Sequence, residues 1–364
     1  MNFTTLGPSE FLNGTSNLTT NGSALGPEGM AMLLAKEPLW SLVIRYILSS
    51  AIFLVGVVGN ILVCVVVYKN HRMHTAMNMF LVNLAVCDIF VCVFNIIFTL
   101  IYFQLQYWPF GLVWCKMLPT LQITNISAST GSLVAMTVER YRAICMPMSN
   151  PISRTHAKLA IALAWMVGFF VALPEVGAYT LTGEYGCGEQ WPIPELQKIY
   201  SMFLFIAIYV VPLLMLLPAY IRMILKLWIV QEEVTVASSG ISQDPQSIKR
   251  RRNVLKMMAI VVLSYGVCLM PYHAAFIWYD YGTGSITPWF WILLCYTQII
   301  SWFNSCVNPI IYWFFSEQFS KEFNKILGCN KLKRLRKLSF THSSSEQHQQ
   351  LYTANTTVKN ASRA

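Results

Sequence analysis

The chain has 364 residues with a formal net charge of +10; 12% are charged and 55% belong to the AVILMFWYC set, and mean hydropathy is +0.50. So few charges cannot cover a water-soluble globule of this size, and the same figures exclude collagen, intrinsic disorder and a disulfide scaffold. The class that remains is an all-α integral membrane protein, because helices are the open-chain elements that satisfy their own backbone in lipid. In chain order, residues 1–41 read as a disordered Gly/Ser/Thr/Asn-rich tail without a signal-peptide hydrophobic region. Its glycosylation sequons cluster at Asn2, Asn13, Asn17 and Asn21. Seven nearly charge-free runs of about 20 residues follow, enough to cross a bilayer: 46–68, one within 73–114, 117–138, 159–174, 199–221, 257–279 and 288–315. Pro174, Pro212, Pro271 and Pro309 fall inside spans, where a packed bundle tolerates a kink. Residues 42–328 are thus predicted to form a seven-transmembrane helix bundle with a short amphipathic eighth helix. That helix is read from Phe315, Phe319, Phe323, Ile326 and Leu327 at helical spacing, with Lys321 and Lys325 between them, lying on the inner leaflet. Cys329 at its end is a candidate palmitoylation site, and residues 329–364 read as a disordered tail.

Basic residues set the orientation. With the N-terminus outside, inner segments hold 22 of the 26 Lys and Arg residues, so the positive charge reports topology and calls for no nucleic-acid partner. Most of the 10 cysteines lie within spans as small packing residues, whereas Cys115 and Cys187 fall at the outer face, an oxidising compartment. No catalytic constellation and no Cys/His spacing of a metal site is visible, so an enzyme is not expected. A transporter would show repeats or several mid-membrane charges. Asp88 is the one ionisable residue deep in an apolar run. Its expected partners are Asn60, Ser129, Asn304 and Asn308, making either a small-cation site or a protonated carboxyl that ties helices together. Glu139-Arg140-Tyr141 closes the third span with an arginine that its neighbouring acid can hold or release. Near the inner end of the seventh span, Pro309 frees a backbone carbonyl that an Asn can satisfy, and Tyr312 needs a hydroxyl partner.

These landmarks occur in a specific order: Gly59-Asn60, Leu84-Ala85-Val86-Cys87-Asp88, Trp108-Pro109-Phe110-Gly111, Cys115, Glu139-Arg140-Tyr141, Trp165, Cys187, Pro212, Tyr220, Pro271 and Asn308-Pro309-x-x-Tyr312. Over residues 42–328 the chain resembles the rhodopsin-like (class A) G-protein-coupled receptors. The resemblance implies a plasma-membrane receptor in which ligand binding opens an inner cavity for a heterotrimeric G protein. It further implies a Cys115–Cys187 disulfide, a sodium pocket of Asp88, Ser129, Asn304 and Asn308, and rearrangement of Arg140, Tyr220 and Tyr312 on activation. One position departs from the family: Leu269, in Cys268-Leu269-Met270-Pro271, stands where the family carries a switch tryptophan. Tyr272, His273 or Phe276 is then expected to relay binding, with His273 a hydrogen-bonded pocket residue.

No lysine in the seventh span is available for retinal, and the third-span position used by amine receptors is Gln122, a neutral amide that pairs with another amide. Gln122 with Thr99 resembles receptors for C-terminally amidated peptides, the orexin, neuropeptide FF, neuropeptide Y and RFamide group. The expected peptide site joins Gln122, Thr99 and Gln298 at the amide, Asp280 and Glu189 at an arginine, and His273 and Phe276 in the wall. The loop acids Glu175, Glu184, Glu189 and Glu195 form an acidic mouth in this reading; the alternative is that they and Asp280 only keep an exposed rim soluble. Further expectations are an apolar Pro147-Met148 knob for the G protein, anionic lipid at Lys249-Arg250-Arg251-Arg252, and arrestin at a phosphorylated Ser339–Ser345 region. With no acid in that basic run to hold Arg140, basal activity is also expected. A constitutively active receptor without a peptide ligand is the alternative function.

Overall fold

The computed structural model describes residues 37–105, 107–146, 148–182, 186–236, 245–284, 287 and 289–328, with side chains described outside 228–251. The tail sequons, Glu184, Pro147, the side chains of residues 249–251, Cys329 and the serine-rich segment therefore lie outside the described residues. Seven long helices form the bundle: α1 (Leu39–Lys69), α2 (Ala76–Leu105), α3 (Gly111–Cys145), α4 (Arg154–Ala178), α5 (Pro194–Leu204 continuing through Phe205–Val210 and Val211–Val236), α6 (Pro245–Tyr281) and α7 (Phe290–Phe315). Thr75 and Ser153 cap α2 and α4 through their side chains, and Pro194 occupies the first turn of α5, where its missing N–H has no role.

Six of the seven are long and apolar enough to cross a membrane by length and composition. The remaining one, α3, is polar because it runs through the middle of the bundle, touching α2, α4, α5 and α6. Its Thr120, Thr124, Asn125, Thr130, Ser132 and Thr137 are buried. Four of these hydroxyls, on Thr120, Thr124, Ser132 and Thr137, donate to the carbonyl four residues back and so satisfy themselves. The outward faces of the other helices carry a belt of exposed Leu54, Val58, Phe170, Leu214, Val267 and Met270, a surface suited to lipid.

Close approach and shared polar groups tie the helices together. A Cβ on Gly168 would lie 2.8 Å from the Thr124 carbonyl oxygen, so only glycine lets α4 lie this close to α3. Asn83 of α2 donates to Ser132 of α3 at 2.8 Å and accepts the Trp165 indole N–H of α4 at 2.9 Å. Proline kinks are managed across helices. A proline cannot donate to the carbonyl four residues earlier, so Pro309 frees the Ser305 carbonyl and Pro212 frees that of Ile208. Asn60 of α1 fills the first with its amide at 2.8 Å, and Tyr265 of α6 fills the second with its hydroxyl at 2.8 Å. The compensating amide at Pro309 is therefore Asn60; the adjacent Asn308 turns elsewhere. Pro119 and Pro218 add prolines within α3 and α5.

Between α4 and α5 the chain forms a hairpin that the sequence reading did not foresee. Strand β1 (Tyr179–Thr182) pairs antiparallel with β2 (Gly186–Glu189) in the register Tyr179↔Glu189 and Leu181↔Cys187. The Cys115–Cys187 disulfide, with Cα atoms 5.7 Å apart, pins it to the start of α3 as expected. After α7, the amphipathic helix α8 (Glu317–Ile326) turns away and ends where Gly328 adopts φ +70°, the left-handed conformation favoured at a helix C-terminus. Its apolar face does not simply meet lipid. Phe319 and Phe323 are buried in the bundle core beside Tyr312, and Ile326 and Leu327 are left exposed.

Candidate functional site

At the disulfide end, α2, α3, α6, α7 and the hairpin enclose a cavity of about 460 Å³. Gln122, Thr99, Gln298, Glu189 and Phe276 all line it, so five of the seven expected ligand residues share one space. One wall is aromatic: Phe94, Phe98, Tyr102 and Trp108 line it, with Phe98 packed against Trp114 at 5.0 Å. Gln122 donates to the Tyr272 hydroxyl at 3.4 Å, leaving its carbonyl oxygen for another donor. A smaller branch of about 120 Å³ runs between α3, α4, α5 and α6. Pro119, Gln122, Tyr179, Glu189, Tyr272 and Phe276 line both spaces, so the branch lies directly beside the main cavity.

The remaining expected residues sit at its edges. His273 lines the branch, its ring tilted against that of Tyr209 at 5.0 Å. Its Nε2 is buried without a hydrogen-bond partner, contrary to the expectation of a hydrogen-bonded histidine. Asp280, one turn beyond Phe276, lines neither space; it accepts from the Gln197 amide at 3.3 Å and keeps one oxygen buried and unpartnered. Glu189 accepts from the Trp191 indole at 2.7 Å and the Tyr179 hydroxyl at 3.1 Å. Burial pushes its carboxyl above the ordinary range; the bonds from Trp191 and Tyr179 oppose that shift, and the charge of Asp280 adds to it.

The acids do not form a uniform soluble rim. Glu195 is exposed in the first turn of α5, whereas Glu175 is only 5% exposed. The charge-free run that marks the fourth span stops before Glu175, which places that acid in the loop by sequence. Instead α4 continues through Pro174 to Ala178 and carries the Glu175 carboxylate inward. Arg45, counted among the outer bases, is also buried: it pairs with Glu37 at 2.8 Å and lies 5.0 Å over the Phe103 ring.

Deeper in the bundle, Asp88 accepts from the Asn308 amide at 2.8 Å. Asn60, expected beside it, is committed to the Gly56 and Ser305 carbonyls. The amide oxygens of Asn60, Asn125, Asn304 and Asn308 are all buried without donors. Above them, Tyr265 and Thr130 share a 2.7 Å hydroxyl bond one turn from Leu269, which is buried at 5% exposure. A buried tyrosine four residues before Leu269 was a legible signal, since its hydroxyl needs a partner.

At the opposite end, Arg140 makes a two-point contact with the adjacent Glu139, one leg at 2.7 Å, and the Tyr220 hydroxyl meets Thr137 at 3.3 Å. The Tyr312 hydroxyl is buried with no partner. Met148 projects from the connection between α3 and α4 at 98% exposure. An arginine held by its neighbour, a buried tyrosine hydroxyl awaiting a partner and a disulfide-pinned cavity at the far end are the parts of a ligand-driven switch. Residues 59–312 match the 7 transmembrane receptor (rhodopsin family).

The chain belongs to the rhodopsin family of seven-transmembrane receptors.

This receptor is 34% identical to neuropeptide FF receptor 1 of Homo sapiens over 293 residues, covering 75% of this chain and 67% of that protein. It is 33% identical to the QRFP-like peptide receptor of Branchiostoma floridae, covering 76% of each. The RYamide receptor of Tribolium castaneum is 27% identical over 316 residues, with 80% and 84% covered. A receptor of this family is not an enzyme; it is a multi-pass membrane protein that works through a heterotrimeric G protein.

Proposed function

We propose that this receptor stands in the plasma membrane with its N-terminus and disulfide end outside, and that it responds to a basic, C-terminally amidated neuropeptide of the RFamide type. The observation that carries this reading is the shared cavity in which Gln122, Thr99 and Gln298 sit below a hairpin bearing Glu189. An amide-bearing terminus gives and takes hydrogen bonds with Gln122 and Gln298; the Phe94–Phe98–Trp108 wall suits an aromatic side chain; Glu189 and Asp280 draw in basic residues. The neuropeptide FF, QRFP-like and RYamide receptors among its relatives support the same ligand class.

Inside the cell, release of Arg140 from Glu139 and pairing of Tyr220 with Tyr312 would open the G-protein site, with Met148 as an apolar contact. A sodium ion fits beside Asp88. One carboxylate ringed by unpartnered amide oxygens of Asn304 and Asn308 suits a small hard cation, while no cluster of three His, Cys, Asp or Glu suited to a metal ion occurs among the described residues. Asp88, Asn304 and Asn308 would hold the ion, and it would favour the resting arrangement of α2 and α7. The basic end of α6 is proposed to meet anionic lipid and the C-terminal tail to recruit arrestin after phosphorylation.

The test is G-protein activation in cells exposed to synthetic peptides ending in Arg-Phe-amide and to their free-acid forms. Activation by the amides, lost with the acids and weakened by Gln122→Ala, is the expected result. Equal potency of acid and amide overturns the role of Gln122. Silence with high basal signalling favours the constitutive reading that Leu269 raises.

A further inference from the structure

Glu175 has no structural task that accounts for its burial. It lies in the last turn of α4, 5% exposed, and its Oε2 has no hydrogen-bond partner. An unpaired carboxylate oxygen taken from water is among the more expensive features a fold can keep. Glu175 itself lines the 120 Å³ branch, together with Glu189, Gln122, Tyr179, Tyr200 and Tyr272. Among the described residues, no lysine or arginine lines that branch. Lys116, in the second turn of α3, spends its ammonium on the Val176 carbonyl at 2.7 Å.

We infer that Glu175 is the counter-ion for a guanidinium group of the ligand, which the branch receives as the arginine side chain next to the amidated terminal residue. The inference deepens the peptide reading above and rests on it. Gln122 lines both spaces, so a terminus held at Gln122 delivers the adjacent side chain into the branch. Two carboxylates in one small space repel each other, and a single cation between them relieves both. Glu189 has already committed oxygens to Trp191 and Tyr179, which leaves Glu175 as the acid with free acceptor capacity. The shape favours guanidinium over ammonium. A planar five-donor fork bridges two carboxylates and stacks on tyrosine faces, whereas an ammonium is a strongly hydrated point charge. Glu175 therefore selects arginine over lysine at this ligand position, while Asp280, outside both spaces, serves residues further from the terminus.

The experiment measures competition binding and G-protein activation by the full-length receptor in cells. The probes are three synthetic peptides differing in one residue: Arg-Phe-amide, Lys-Phe-amide and citrulline-Phe-amide endings, citrulline being the neutral isostere of arginine. In the wild type, citrulline is expected to lower affinity about 30-fold or more, with lysine between. Glu175→Gln, at equal surface expression, should weaken the arginine peptide by a similar factor and leave the citrulline peptide almost unchanged, so the two become equal. If Glu175→Gln still prefers arginine over citrulline by the wild-type factor, the assignment is wrong, and a structural carboxyl is the better account. If Asp280→Asn rather than Glu175→Gln erases the preference, the peptide reading stands and this assignment alone falls. A wild type that ignores every amidated probe removes both. Should Glu175→Gln fail to reach the surface, Glu175→Asp keeps the charge one methylene short. It should keep the arginine preference at about tenfold lower affinity; wild-type affinity in that variant overturns the inference.

Discussion

Two carboxylates in this receptor are equally withdrawn from solvent, Asp88 and Glu175, each 5% exposed. Around Asp88 the bundle supplies a donor from α7, the Asn308 amide at 2.8 Å. Around Glu175 it supplies none for Oε2, and the residue lines the branch beside the cavity at the disulfide end. Burial alone therefore does not mark a binding residue; the number of partners already met does. A carboxylate that the protein satisfies itself holds helices in one arrangement and can be biased by a small ion. One that is left unsatisfied is waiting for a charge brought from outside.

The largest effect that would break this contrast lies at the ligand end. Asp280→Ala should right-shift the response to an Arg-Phe-amide peptide by about 2 kcal/mol or more, the loss of a partly desolvated charge contact, read as potency at matched surface expression. An unchanged potency removes Asp280 from the peptide site. Next come the self-satisfied polar bonds of the bundle. Asn60→Leu and Tyr265→Phe each leave a proline-freed carbonyl without its donor, so each should lower stability by about 1–3 kcal/mol, seen as a lower melting temperature of the detergent-solubilised receptor. If neither variant melts earlier, the carbonyls at Ser305 and Ile208 are not being satisfied by these groups.

Asp88→Asn sharpens the comparison further. Agonist affinity should change by only about 1 kcal/mol, since the amide still bonds Asn308, but the dependence of affinity on sodium concentration should disappear. Persistence of a sodium effect would place the ion elsewhere. The smallest expected effect is a pH slope from Glu189. Its carboxyl is raised in the free receptor, chiefly by burial, and a guanidinium nearby would draw it down again. Binding then releases protons, so affinity rises as pH rises through the interval between the free and bound values and falls as pH drops through it. The neighbouring acids Glu175 and Asp280 act in the same direction, and a protonated His273 would too. Glu189→Gln should therefore reduce the slope without abolishing it; an unaltered slope assigns it to the other groups.

How legible the molecule was differs by kind of feature. The span count, the chain's landmarks and the pairing of Cys115 with Cys187 were readable, and so was the convergence of Gln122, Thr99, Gln298, Glu189 and Phe276, the last two through resemblance. Glu175 falls outside the charge-free run that marks the fourth span, whereas α4 continues through Pro174 to Ala178 because neighbouring helices tolerate the kink. The hairpin was hidden because its two strands have four residues each, too short for a periodic signal.

By itself the sequence determined what depends on sums over neighbouring residues: seven apolar stretches and an amphipathic eighth helix. Hydropathy is local and additive, so it survives without knowledge of the fold. Tertiary structure decided which polar group meets which. Asn60 reaches a carbonyl 245 residues away, and Asn308 reaches Asp88 across 220. Phe319 and Phe323 turn into the bundle and Glu175 comes to line the branch only because other helices define those spaces. A hydrogen bond or an unmet charge is a relation between distant residues, and no local pattern specifies the second partner.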